Sequence, residues 1–137
     1  MTKHLLENLT RKRIKECEIL LNNKCFSGAY YLAGYSIECG LKACIAKQIN
    51  QHQIPEKAFV NEFYVHDLKR LIKLAGLETE RSDKENSDAD FAINWNVVKD
   101  WNENARYAEW TEVKATEIYN AITNKSGGIL AWIQQYW

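Results

Sequence analysis

Three short stretches of the chain hold residue types from which a site can be built. In the first, Tyr31, Tyr35, Glu38 and Lys42 recur at helical spacing and so share one face of a helix. Glu38 and Lys42 stand four residues apart in the favourable acid-before-base order. If that face is partly buried, the carboxylate needs further partners, because unpaired buried charge is costly, and Arg106 is the partner expected for it. In the second stretch, His66 precedes Asp67; an imidazole beside a carboxylate can move protons near neutral pH. In the third, Arg106 precedes Tyr107, a pairing able to hold phosphate and stack on a base. Each stretch also has a plainer reading. The Glu38–Lys42 pair would anchor a neighbouring helix, His66 would brace the start of one, and an Arg106–Glu38 salt bridge would tie the bundle together. A basic run, Arg11-Lys12-Arg13 with Lys15, can touch phosphates or form a solvated helix face.

The elements that must carry these groups are helical. One proline and six glycines interrupt the chain, β-branched runs of period two are absent, and apolar residues recur with helical period. A first helix is expected from about Lys3 to Leu21, stopped at Asn22-Asn23. The link is short, so the next helix must return antiparallel. That helix, from about Lys24 to 48–51, is the organising element. Tyr30, Ile37, Leu41 and Cys44 form one greasy face, and Ala29, Ala33, Ser36, Gly40 and Ala43 form a face of small residues. Such a helix belongs in the middle of a bundle. Periodicity fails from Asn50 to Tyr64, around Pro55, which reads as a loop packed on the body. Asp67 should cap a short helix bearing Leu68, Leu71 and Ile72, stopped at Gly76. The acidic stretch 78–88 reads as a mobile loop. A further helix should begin at Ser87 or Asp88, and an interruption is expected at Asn102-Glu103-Asn104. A last helix should start from Thr111 and be broken at Gly127-Gly128, where two glycines cost about 2 kcal/mol relative to alanines. The expected fold class is all-α: a single domain over 1–137, an up-and-down bundle of four to five helices with one short extra helix across an end.

Bulk properties narrow the function less. Eighteen basic and eighteen acidic residues balance, so the overall charge gives no strong pull toward nucleic acid or membrane. No N-terminal run reads as a signal peptide and no apolar stretch is long enough to span a bilayer. The four cysteines form no CxxC pair and have no histidine at ligand spacing, which speaks against a zinc site. Cys17, Cys39 and Cys44 fall among helical apolar residues and read as reduced core thiols of a cytoplasmic protein. No cofactor is called for. Trp132, Tyr136 and Trp137 look like more aromatic surface than one small core hides, which points to a homodimer interface.

The run from Tyr30 to Ile45, YYLAGYSIECGLKACI, resembles the second helix of HEPN domains, small all-helical nucleotide-binding modules. His66-Asp67-Leu68 opening a later helix, and Trp101 followed by Arg106-Tyr107, are similar to later pieces of the same family, in the same order. Together with the flanking helices they cover nearly the whole chain. The resemblance implies a helical bundle, a homodimer, and a nucleotide- or RNA-binding role beside a nucleotidyltransferase or in a toxin–antitoxin or phage-defence system. Ribonucleases of the family carry an arginine followed, four to six residues on, by a histidine. Two such motifs meet across the dimer, with the arginine on phosphate and the histidine on the ribose hydroxyl. This chain departs from that pattern, because its three histidines are His4, His52 and His66, and none follows Arg106. Three functions are therefore expected as alternatives. The first is a binding module using Tyr31, Tyr35, Glu38, Lys42, His66, Asp67, Arg106 and Tyr107. The second is a divergent metal-independent ribonuclease using His66 and Arg106. The third is a structural dimerisation domain whose polar stripe fixes helix register.

Overall fold

The first helix is set by its cap: the Thr2 hydroxyl accepts the Leu5 amide hydrogen at 3.2 Å, and α1 runs Lys3–Asn22. The computed structural model describes residues 1–49 and 52–137. Lys24, with φ 60°, turns the chain, and α2 follows at Phe26–Lys47. The part of the expected second helix that reached 50–51 lies outside the described residues. After α2 come α3 (Lys57–Phe63), α4 (Leu68–Leu74), α5 (Glu78–Ser87), α6 (Ala89–Val98), a 3-10 turn (Glu103–Tyr107), α7 (Glu112–Thr123) and α8 (Ile129–Gln134). The chain is all-helical, with no strand among the described residues.

Three expected caps are made. Asp67 accepts from the Arg70 amide, Asp88 from Phe91 and Thr111 from Lys114, each supplying an acceptor to the unpaired N–H donors of a helix start. The break after α7 also stands where the double glycine placed it, for a stronger reason than propensity. Gly127 has φ +68°, and a Cβ there would meet the Phe91 backbone nitrogen at 2.5 Å. Backbone handedness and close approach therefore both exclude a side chain.

Two expectations are corrected. The stretch 78–88 is not a mobile loop but α5. Glu78 and Glu80 sit at its positive N-terminal end, and the pairs Arg81–Glu85 and Lys84–Asp88 are spaced i,i+4. These local charge pairs let a helix form with no buried residue. Likewise 57–63, read as loop, is α3; it too buries no residue outright. Both short helices, with the break between α7 and α8, take the count beyond four or five.

The hub is α2, which contacts α1, α4, α7, α8 and the 3-10 turn, with α1 packed along it over the longest interface. The small face makes this possible: Ala29, Ala33, Ser36 and Ala43 are fully buried. The tightest approach is at Gly34, where a Cβ would fall 2.2 Å from the Trp101 ring. One apolar cluster draws on α1, α2, α4, α6, α7, α8 and the 3-10 turn. Trp132 lies inside it, 3% exposed, edge-on to Phe91 at 5.2 Å. Tyr136 and Trp137 are partly buried against it, and the Trp137 ring lies under the Arg11 guanidinium at 5.0 Å. Of the C-terminal aromatics, Trp132 is thus buried within one chain, and Tyr136 and Trp137 are half-buried against it. No helix among the described residues is long and apolar enough to cross a membrane.

Candidate functional site

Glu38 lies midway along α2, on the face turned toward the start of α4, and is 2% exposed. Its carboxylate is fully engaged. Lys42, one turn on and 6% exposed, donates to Oε1 at 2.7 Å. The His66 Nδ1 lies 3.0 Å from both carboxylate oxygens. Phe63, at the end of α3, places its ring 5.5 Å from the Lys42 ammonium, a cation–π contact strengthened by the dry surroundings. The cluster is therefore a buried ion pair with an imidazole at its rim.

The arrangement fixes the chemistry of His66. A carboxylate can only accept, so Nδ1 must carry a proton to make the bond. In the neutral ring the lone pair then belongs to Nε2, which has no partner among the described residues. The side chain is 43% exposed, so Nε2 is the end of the cluster that meets solvent. Asp67 takes no part in this; its carboxylate is spent on the Arg70 amide at 3.0 Å.

The partner expected for Glu38 is not the one found. Arg106 is exposed on the 3-10 turn, with its guanidinium 5.0 Å over the Tyr107 ring. Hydrogen bonding to Tyr107, then proximity to Tyr31, pushes the guanidinium pKa above its ordinary value. Tyr31 precedes Glu38 by two turns of α2, about 10 Å along the axis, which keeps Arg106 from Glu38. His66 fills that place because the start of α4 packs on α2. Arg106 has no ion-pair partner among the described residues.

Between the two ends runs an aromatic strip. Tyr31 and Tyr35 stack at 6.0 Å and 15°, and Trp101 backs Tyr31 at 5.8 Å. The Arg13 guanidinium lies 5.9 Å over Tyr35 and is paired with Glu16. Burial raises the Tyr35 pKa. Of the basic run, Arg13 joins the strip while Arg11 covers Trp137, so it is neither a purely solvated face nor a free phosphate patch. All eight sequence-derived residues thus lie along one face of α2 and the two segments packed on it, but as two separate groups. Sequence reasoning missed Phe63 and the Gly34–Trp101 contact. The signal for the latter was present: a glycine inside a helix of small residues marks close approach.

No group of three or more His, Cys, Asp and Glu residues able to hold a metal occurs among the described residues. Cys17, Cys39 and Cys44 are buried and free, and Cys25 is exposed and free. Burial pushes the buried thiols up to about 12, 11 and 12 respectively, far from the reactive range. Compared with family models, with curated proteins and with solved structures, the chain finds no match in any of the three.

Proposed function

We propose that this chain is a HEPN-like binding module that holds a nucleotide or single-stranded RNA along the strip from Arg106 and Tyr107 to His66. In this reading it works in the cytoplasm as a homodimer, beside a nucleotidyltransferase or within a toxin–antitoxin or phage-defence pair. The observation that carries the reading is Arg106: an exposed guanidinium with no acidic partner among the described residues, lying on Tyr107 and next to the Tyr31–Tyr35 stack. Phosphate-holding cations beside aromatic platforms are the standard means of gripping single-stranded nucleic acid. Anisotropy of a fluorescein-labelled oligouridylate tests it. Wild type should bind in low salt and weaken as salt rises. Arg106→Ala should bind about tenfold or more weakly, the loss expected for one charge-assisted bond of about 1.5–3 kcal/mol. Absence of binding to RNA and to nucleotides alike would remove the reading.

A second reading is favoured by one observation, the orientation of His66 by Glu38. An imidazole with its Nδ1 proton held by a buried carboxylate presents Nε2 as a base. A divergent ribonuclease would use that base on a ribose hydroxyl, with Arg106 on the phosphate. Digestion of RNA by wild type and not by His66→Ala supports it; equal or absent cleavage in both retires it. The dimerisation-scaffold alternative predicts that Arg106→Ala and His66→Ala change stability alone.

A further inference from the structure

Beside the Arg106 turn lies a cleft that neither reading above uses. It is about 210 Å³ in volume and is walled by Tyr30, Trp101, Trp110, Asn102, Asn104 and Ala108. Pockets that enclose a whole ligand run to about 300–1,000 Å³, so this one suits a single flat ring system with the rest of the molecule outside. Its apolar wall is rigid. Tyr30 and Trp110 stack at 3.6 Å and 10°, and the Trp110 indole N–H donates to the Ala105 carbonyl at 3.0 Å. Its polar side is selective. Asp100, also in the wall, accepts from Lys69 at 3.1 Å. The Asn102 carboxamide oxygen caps the 3-10 turn by accepting from the Asn104 amide. The Asn104 side chain has no partner among the described residues, and a carboxamide offers both donor and acceptor. The Trp101 indole N–H is buried without a partner, a condition uncommon in folded proteins. Ala105 and Ala108 both line the cleft, and Arg106 and Tyr107 lie between them in the chain.

We propose that this cleft seats one planar heterocyclic base, read by the Asn104 carboxamide against the aromatic wall, with Arg106 at its mouth on the attached phosphate. The inference rests on the binding reading given above and adds to it a subsite and a ligand part.

Tryptophan fluorescence of the full chain titrated with adenosine 5′-monophosphate and with ribose 5-phosphate tests it, because Trp101 and Trp110 line the cleft. The nucleotide should quench and should bind about tenfold or more tightly than the sugar phosphate, as stacking on an aromatic wall requires. Ala108→Phe fills an exposed edge of the cleft and should abolish that preference while leaving sugar-phosphate binding intact. Arg106→Ala should weaken both ligands. Asn104→Ala, a change at an exposed side chain, should weaken the nucleotide several-fold and serves if Ala108→Phe fails to fold by circular dichroism. Equal binding of the two ligands, unaltered in the cleft variants, overturns the base subsite while phosphate binding at Arg106 stands. No binding of either ligand or of RNA overturns both.

Discussion

The two ends of the polar strip on α2 hold their charged side chains in opposite ways. At one end Glu38 and Lys42 are turned inward with His66 at the rim, and the carboxylate is saturated by two donors. At the other, Arg106 and Tyr107 are exposed and rest on each other. The difference comes from where each charge falls relative to the small face of α2. Glu38 and Lys42 are part of the helix that α1, α4, α7 and α8 pack against, so they cannot escape burial and must be neutralised in place. Arg106 sits on a turn laid over the helix, where water solvates it at no cost. A charge in the hub is therefore tied to stability, and a charge on the turn is available to a ligand.

Breaking the inner group should have the largest effect. Lys42→Met leaves Glu38 buried with an imidazole alone and should cost about 3–5 kcal/mol in urea unfolding. The double variant Glu38→Leu with Lys42→Met removes both charges and should recover most of that loss. If the single variant is as stable as wild type, the pair is not buried as described.

A comparable effect should come from alkali. The Cys17, Cys39 and Cys44 thiols are raised by burial to about 12, 11 and 12 from an ordinary value of 9.0. The unfolded chain releases these protons first, so their contribution is fully present below pH 9 and falls as pH rises toward 11–12. The loss is about 1.4 kcal/mol per thiol for each step of one in pH. Melting temperature should drop steeply between pH 8.5 and 10.5 and less so in a Cys17→Ala, Cys44→Ala variant. At pH 8, a thiol reagent should label Cys25 quickly and the other three only in denaturant.

Gly34→Ala should cost about 1–3 kcal/mol, because the added methyl meets the Trp101 ring at 2.2 Å. Smallest of all, Arg106→Ala should alter stability by less than about 0.5 kcal/mol while losing ligand binding. A large stability change there would erase the contrast between the two ends.

Much of this was legible in the chain. The caps at Asp67 and Thr111 follow from local chemistry, since the acceptor and the amide it serves lie three residues apart. The role of α2 as the hub followed from its unbroken small and apolar faces. Polarity alone reads as a mobile loop at 78–88, whereas the i,i+4 charge pairs there support a helix without a core. The partner of Glu38 was beyond sequence reasoning for a different reason. Both His66 and Arg106 are distant in the chain, and only the packing of α4 and the 3-10 turn at different heights on α2 decides which arrives.

The contact between Gly34 and Trp101 has a consequence for how the chain can vary. Trp101 rests on a spot of bare backbone, and the turn bearing Arg106 begins two residues later. The missing methyl therefore acts as a depth gauge for a cation it never touches. A lineage that gained one carbon at position 34 would lift the whole turn, and with it the Arg106 guanidinium, with every side chain of the turn unchanged.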